Sequence, residues 1–151
     1  MNVATLDTPV GPLHVTEEAG AIIRVAWGGG VARGASPVLD RALSQLRAYF
    51  DGALVAFDLP LAVAGSDLQR AVCDAMRAIP FGETRTYGDL ARALGVPAQA
   101  IGQACGGNPI PVIIPCHRVL GATSLGGYSG DGGVETKVAL LRLEGAAGLL
   151  I

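Results

Sequence analysis

The spacing of hydrophobic positions changes character partway along this chain. From Val3 to Trp27 there are three short strand-like runs: Val3–Leu6 alternates weakly, Leu13–Thr16 alternates, and Ala21–Trp27 is β-rich. A period of two marks half-buried strands. The segments between them, Thr8-Pro9-Val10-Gly11-Pro12 and Glu17-Glu18-Ala19-Gly20, are turn material. A three-stranded meander is therefore predicted. Gly28-Gly29-Gly30 ends it, and no Lys-Ser or Lys-Thr follows, so this is not a phosphate loop. From Val38 to Phe50 the apolar residues fall at 38, 39, 42, 43, 46, 49 and 50, the helical period. That helix should lie on the sheet. A short strand is predicted at Phe57-Asp58-Leu59, before a turn at Pro60.

Beyond residue 65 the helical period dominates. Ser66 is a good N-cap for a helix running to about Ile79, with Leu68, Ala71, Val72, Ala75, Met76 and Ile79 inward. Cys73 reads as part of that core. Thr86 can cap a short helix, Tyr87 to Leu94. Gly95-Val96-Pro97 breaks it, and Ala98 to Gly106 forms a second short helix with Pro97 near its first turn. Helix, brief break, helix is a helix-turn-helix pattern, weak on its own because many helical hairpins share it. A last helix is predicted from Val134 to Glu144, with Val138, Leu140, Leu141 and Leu143 packing. The predicted class is a small α/β domain, antiparallel sheet plus helix, over residues 1–62. A mostly helical, winged-helix-like domain with a helix-turn-helix follows over 63–151.

One stretch has neither period. Asn108 to Leu120 contains Pro109, Pro111 and Pro115, then Cys116-His117-Arg118. Each proline fixes φ, lacks an N–H and biases its predecessor toward extended geometry. The segment should be a rigid, extended, non-helical connector that ends on Cys116. A thiol beside two potentially cationic side chains is a candidate low-pKa nucleophile, since positive charge stabilises the thiolate. The bland alternative is a buried, inert cysteine.

Composition narrows the classes. The chain has 151 residues, 50% of them hydrophobic, enough for one domain or two small ones with real cores. No apolar run reaches the length of a membrane span, and the N-terminus has no basic region followed by an apolar one; a cytoplasmic protein is expected. The 3 cysteines lack paired spacing and there are only 2 histidines, His14 and His117, so neither a disulfide framework nor a metal site is expected. A net charge of −2 argues against nucleic acid as a partner. Its distribution argues the other way. Leu90 to Gly130 holds no Asp or Glu but does hold Arg92 and Arg118, so a surface built from it would be neutral to positive. Affinity for DNA should be modest, because few phosphates can be neutralised.

Pro115-Cys116-His117-Arg118, preceded by Asn108-Pro109, resembles the active-site signature of the O6-alkylguanine-DNA alkyltransferases, the methylated-DNA–protein-cysteine methyltransferases. The resemblance extends from about Ser66 to Gly145 and includes the helix pair and the loop Gly126-Gly127-Tyr128-Ser129-Gly130. It implies a repair protein that flips O6-alkylguanine out of double-stranded DNA and transfers the alkyl group irreversibly to Cys116. A thioether product cannot be reversed by thiol exchange, so each molecule reacts once and no cofactor is needed. It also implies roles for individual residues. His117 acts as base through a water, Glu144 orients the imidazole, and Asn108 ties the helix pair to the cysteine segment. Tyr87 donates to the flipped ring, Ser129 binds O6, and Tyr128 and the Val119 carbonyl line the pocket. Arg118 is expected to pair with backbone or acid groups.

The second short helix, with Ala98, Ala100 and Gly102 beside Gln99, would enter the minor groove, where small side chains allow close approach. Arg92 is a further DNA-facing candidate. The family typically has an arginine where Gln99 stands, filling the gap left by the flipped base; Gln99 is neutral and shorter. The family also usually shows a Phe and a Trp at the positions of Leu68 and Cys73, so that core is repacked here. A monomer is expected. Two other readings compete: a non-enzymatic sensor of alkylated DNA, which would dispense with the cysteine, and a thiol hydrolase, which would leave the helix-turn-helix without a purpose.

Overall fold

The computed structural model describes residues 1–128 and 133–146. The chain divides into two compact units, Met1–Val63 and Ala64–Ile151. In the first, strands β1 (Asn2–Leu6), β2 (Leu13–Glu18) and β3 (Ala21–Trp27) form an antiparallel sheet in that order. Leu6 pairs with Leu13, and Leu13 with Trp27. Helix α1 (Pro37–Phe50) starts where the Ser36 hydroxyl accepts from the Leu39 N–H, with Pro37 in its first turn. It buries Leu39, Ala42, Leu46 and Tyr49, while Leu13, Val15, Ile22 and Val25 of the sheet are buried in the same unit. Each fully buried Leu or Val there contributes roughly 1.5–3 kcal/mol from area removed from water.

The strand expected at Phe57–Leu59 is not formed. The Asp58 N–H donates to Gln45 Oε1 at 2.9 Å and its carbonyl accepts from Gln45 and Arg41, so side chains have taken its ladder groups. The strand-like contact falls later: Ile22 N–H donates to the Pro60 carbonyl and Ala62 N–H to the Ile22 carbonyl, at 2.8 and 3.0 Å. Pro60 can serve there because only its carbonyl is needed.

In the second unit, α2 (Asp67–Arg77) is capped by Ser66 and buries Val72, Cys73 and Met76. A short strand β4 (Arg85–Thr86) leads directly into α3 (Tyr87–Leu94). Thr86 and Asp89 form a reciprocal capping box, and Gly95, with φ of 68°, ends the helix in the left-handed conformation. Helix α4 (Ala98–Gly106) follows Pro97 and buries Ile101, Ala104 and Cys105. Ala98, Gln99, Gln103 and Gly106 lie on its exposed face. A short strand β5 (Val119–Leu120) pairs in parallel with β4, Arg85 opposite Val119 and Thr86 opposite Leu120. This pairing fixes the entry to α3 beside the residues that follow Cys116. Helix α5 (Val134–Leu143) ends in a Schellman arrangement: Gly145, φ 63°, donates to Arg142 and Ala146 donates to Leu141.

Two sequence expectations change here. The proline-rich segment is a buried, folded turn and not an extended connector. Ile114 N–H donates to the Ile110 carbonyl at 2.9 Å, Val112 takes a φ of +72°, and Cys116–Arg118 forms a single 3₁₀ turn. The prolines removed the N–H groups that such a buried turn would otherwise strand. On α5, Leu143 is exposed, and Thr136 and Lys137 are buried with Leu140 and Leu141.

Candidate active site

Asn108 organises the cysteine segment. Its Oδ1 accepts from the Ile110 N–H at 3.0 Å and its Nδ2 donates to the Ile114 carbonyl at 2.9 Å, stapling both ends of the turn. Its side chain also favours the thiolate of Cys116. Ile110, Val112 and Ile114 are buried beneath, so the cysteine stands on a packed base.

Cys116 is 5% exposed and opens onto a cavity of about 440 Å³ lined by Tyr87, Gly102, Cys105, Gly106, Cys116, Gly127 and Tyr128. Three lining residues are glycines, so backbone forms much of the wall. At Gly126, φ 72°, a β-carbon would lie 2.9 Å from the Tyr87 hydroxyl, which leaves room there only for glycine.

Burial pushes the Cys116 thiol above its ordinary pKa, against the opposing pull of the Asn108 side chain and the Lys137 charge. This corrects the expectation of a low-pKa thiol activated by its sequence neighbours. Burial also holds the His117 imidazole below its usual pKa, and so neutral, despite the Glu144 carboxylate beside it. The Arg118 guanidinium faces elsewhere. Its Nε and Nη2 donate to the two Glu144 oxygens at 2.9 and 3.0 Å, and Nη1 donates to the Ile79 carbonyl at 2.6 Å. The expectation that Arg118 pairs with acid and backbone groups holds geometrically. Arg118 is buried and adds no charge to an exposed DNA-facing surface. Arg92, the exposed cation of Leu90–Gly130, pairs with Asp89 at 2.6 Å.

His117 Nε2 lies 2.7 Å from Glu144 Oε2. A carboxylate accepts only, so Nε2 carries the proton and Nδ1 keeps its lone pair. Nδ1 is buried and makes no hydrogen bond among the described residues. Glu144 sits at the C-terminus of α5, where the helix dipole disfavours an anion. His117 and Arg118 offset that cost.

Lys137 is the functional residue that sequence reasoning missed. It is fully buried, and its ammonium donates to the Val119 carbonyl at 2.6 Å and the Gly127 carbonyl at 3.0 Å. It also stands 5.8 Å from the centre of the Tyr87 ring. Burial lowers its pKa, and the Cys116 and Cys105 thiols counter this by favouring its charge. The signal was readable: Lys137, Leu140, Leu141 and Glu144 share one helical stripe, and charges on an apolar stripe need partners. Cys105 was also overlooked. It lines the cavity, and burial with the nearby Cys116 pushes its thiol up to about 12.

Tyr87 and Tyr128 both line the cavity. Burial, with the nearby thiols, raises both phenols, so both stay protonated. The Val119 carbonyl, expected to face substrate, spends one acceptor site on Lys137. Of the groove-facing candidates, Ala98, Gln99 and Arg92 are exposed, Ala100 is half-buried, and Gly102 forms part of the cavity wall. Ser129 lies outside the described residues. Cys73 is buried core. Among the described residues no cluster of three or more His, Cys, Asp or Glu side chains could hold a metal, and no helix is long and apolar enough to cross a membrane.

Comparison with known proteins gives a consistent result. Residues 67–146 match the model of the 6-O-methylguanine DNA methyltransferase DNA-binding domain, and residues 1–63 match that of its ribonuclease-like domain. The chain is 41% identical to a Mycobacterium bovis methylated-DNA–protein-cysteine methyltransferase, covering 93% of this chain and 90% of that protein. It is 40% identical to the constitutive methylated-DNA–protein-cysteine methyltransferase of Bacillus subtilis, covering 93% of each. A crystal structure of Mycobacterium tuberculosis OGT in complex with DNA superposes with a TM-score of 0.85 at 41% identity, over 96% of this chain and 93% of that one. Two domain models together span nearly the whole sequence, and the fold agrees, so the chain belongs to the 6-O-methylguanine DNA methyltransferase family.

Proposed function

We propose that this protein repairs O6-alkylguanine in double-stranded DNA by irreversible transfer of the alkyl group to Cys116, once per molecule. The observation that carries the reading is the Cys116 thiol. It stands on a rigid turn and opens onto a cavity of base size beneath the helix pair, with a cation and a neutral imidazole held nearby. The relatives are named for transfer from methylated DNA to a protein cysteine, and one related structure contains DNA.

The reaction is a displacement at carbon. The Cys116 thiol gives up its proton through a water to Nδ1 of His117, while Nε2–H stays on Glu144. Glu144 thus holds the reactive tautomer and stabilises the imidazolium that forms. Lys137 stabilises the thiolate. The new S–C bond forms as the C–O6 bond breaks, and guanine leaves with the electron pair. The protonated Tyr87 phenol donates to the departing ring, Ser129 binds O6, and Tyr128 with the Val119 carbonyl borders the base. Asn108 holds the nucleophile in place.

The base must leave the stack to reach the cavity. Helix α4 enters the minor groove with Ala98, Ala100 and Gly102 against the backbone and Gln99 in the gap, while Arg92 contacts phosphate. The protein acts as a monomer in the cytoplasm. Intact mass after incubation with an oligonucleotide containing O6-methylguanine tests this. Wild type should gain one methyl group per molecule and then stop, and Cys116→Ala should gain none. DNA binding without mass gain would refute alkyl transfer and leave a sensor.

A further inference from the structure

The cavity holds two thiols. Cys116 enters it from the 3₁₀ turn and Cys105 from helix α4, and both are free and buried. Alkyl transfer uses only the first. Ionisation of Cys116 disfavours that of Cys105, and Lys137 favours the thiolate of both. The Cys105 thiol rests against the Met76 sulfur at 3.5 Å, a weak contact that does not anchor it.

We propose that Cys105 is a resolving cysteine for Cys116, so that hydroperoxides convert the pair reversibly to an intramolecular disulfide. The cavity admits a molecule as small as hydrogen peroxide. The groups that prepare Cys116 to attack carbon, Asn108 and the Lys137 charge, prepare it equally to attack oxygen. In the first step the Cys116 thiolate attacks one peroxide oxygen. An S–O bond forms, the O–O bond breaks, and the other oxygen leaves as water or alcohol with the thiol proton. In the second step Cys105 sulfur attacks the sulfenic sulfur, an S–S bond forms, and the sulfenic oxygen departs as water with the Cys105 proton. Two electrons pass from two thiols to one peroxide, and the protein loses two hydrogens. The device keeps a single-use nucleophile from over-oxidation beyond the sulfenic state, which thiols cannot reverse.

Cys73 is the competing partner. It is buried on α2, hydrogen-bonds Gln69 at 3.6 Å, and does not line the cavity. The pairing is therefore assigned to Cys105.

The test treats the purified full chain with hydrogen peroxide and reads intact mass and a non-reducing peptide map, independent of any alkyl transfer. Wild type should lose two hydrogens and yield a linked Cys105–Cys116 peptide pair. Added thiol reductant should return at least nine-tenths of the Cys116 thiol to labelling by iodoacetamide. Cys105→Ala should instead gain oxygen on Cys116 and recover less than a tenth, and Cys73→Ser should behave as wild type. A Cys73–Cys116 link, a link between two molecules, or sulfinic acid on Cys116 of wild type would each overturn the proposal. The wild-type map decides it even where a variant folds poorly.

Discussion

Replacing Glu144 with Gln separates what the buried carboxylate does for stability from what it does for chemistry. Glu144 accepts hydrogen bonds at 2.7, 2.9 and 3.0 Å from His117 Nε2 and from Arg118 Nε and Nη2. Glutamine has the same shape but one acceptor oxygen and one donor amide. If its oxygen faces Arg118, its amide meets the His117 Nε2 proton, and the imidazole must move its proton to Nδ1. If its oxygen faces His117, a donor of Arg118 is left opposed and the guanidinium loses its counter-charge.

Breaking a buried pair from one side costs about 3–5 kcal/mol, and the retained bonds bring the expected loss to about 3 kcal/mol. For a unit of this size that lowers Tm by on the order of 10–20 °C. Thermal unfolding followed by circular dichroism at pH 7.5 measures it. Single-turnover alkyl transfer, run well below the variant's Tm, measures the chemistry. A wrong tautomer removes the acceptor lone pair at Nδ1 and should slow transfer by at least ~100-fold, as loss of a positioned base does. A Tm within about 2 °C of wild type, against a 1 kcal/mol cost of several degrees, would refute the energetic reading. A large Tm loss with an unchanged rate would show that His117 is not the base.

Four further outcomes follow from the same geometry. Asn108→Ala removes both staples of the cysteine turn and should cost about 2–4 kcal/mol, at ~1–2 kcal/mol per buried bond lost; hydrogen exchange should rise first at Ile110 and Ile114. Lys137→Met removes a cation that favours the thiolate, so the Cys116 thiol should titrate at higher pH by iodoacetamide rate, and transfer at neutral pH should slow. Gln99→Arg should raise the rate on duplex DNA more than on free O6-benzylguanine, since Gln99 is exposed outside the cavity lining; equal ratios would remove Gln99 from the DNA interface. His117 is held neutral by burial, so below its unfolded pKa of 6.5 the unfolded chain binds the extra proton. Urea midpoints should therefore fall as pH drops from 6.5 toward the lowered native pKa, and the His117→Gln variant should lose that slope.

The local elements were legible from sequence because their causes are local. Ser36, Ser66 and Thr86 sit at helix starts because each offers a hydroxyl to an orphan N–H, and Gly95 at a helix end because it tolerates positive φ. Short β-rich runs between turn residues located three strands in the first 27 residues for the same reason, since their signals are local. Asn108, Cys116 and His117 stood out because an amide, a thiol and an imidazole bracket a run that is otherwise apolar and proline-rich.

What the sequence could not settle were quantities that depend on distant chain. Phe57–Leu59 had the composition of a strand, but Gln45 and Arg41, more than ten residues earlier, took its backbone groups. Proline geometry pointed to an extended connector, and burial of Ile110, Val112 and Ile114 around the Asn108 side chain folded it into a turn. The protonation of the site was read wrongly from adjacency. Cys116, His117 and Arg118 are neighbours in sequence, yet a 3₁₀ turn sends their side chains in different directions, and Arg118 spends its charge on Glu144, 26 residues on. The cation that bears on the thiol is Lys137, brought in by helix α5. A charge's effect falls with distance and rises with burial, and only the tertiary structure sets either.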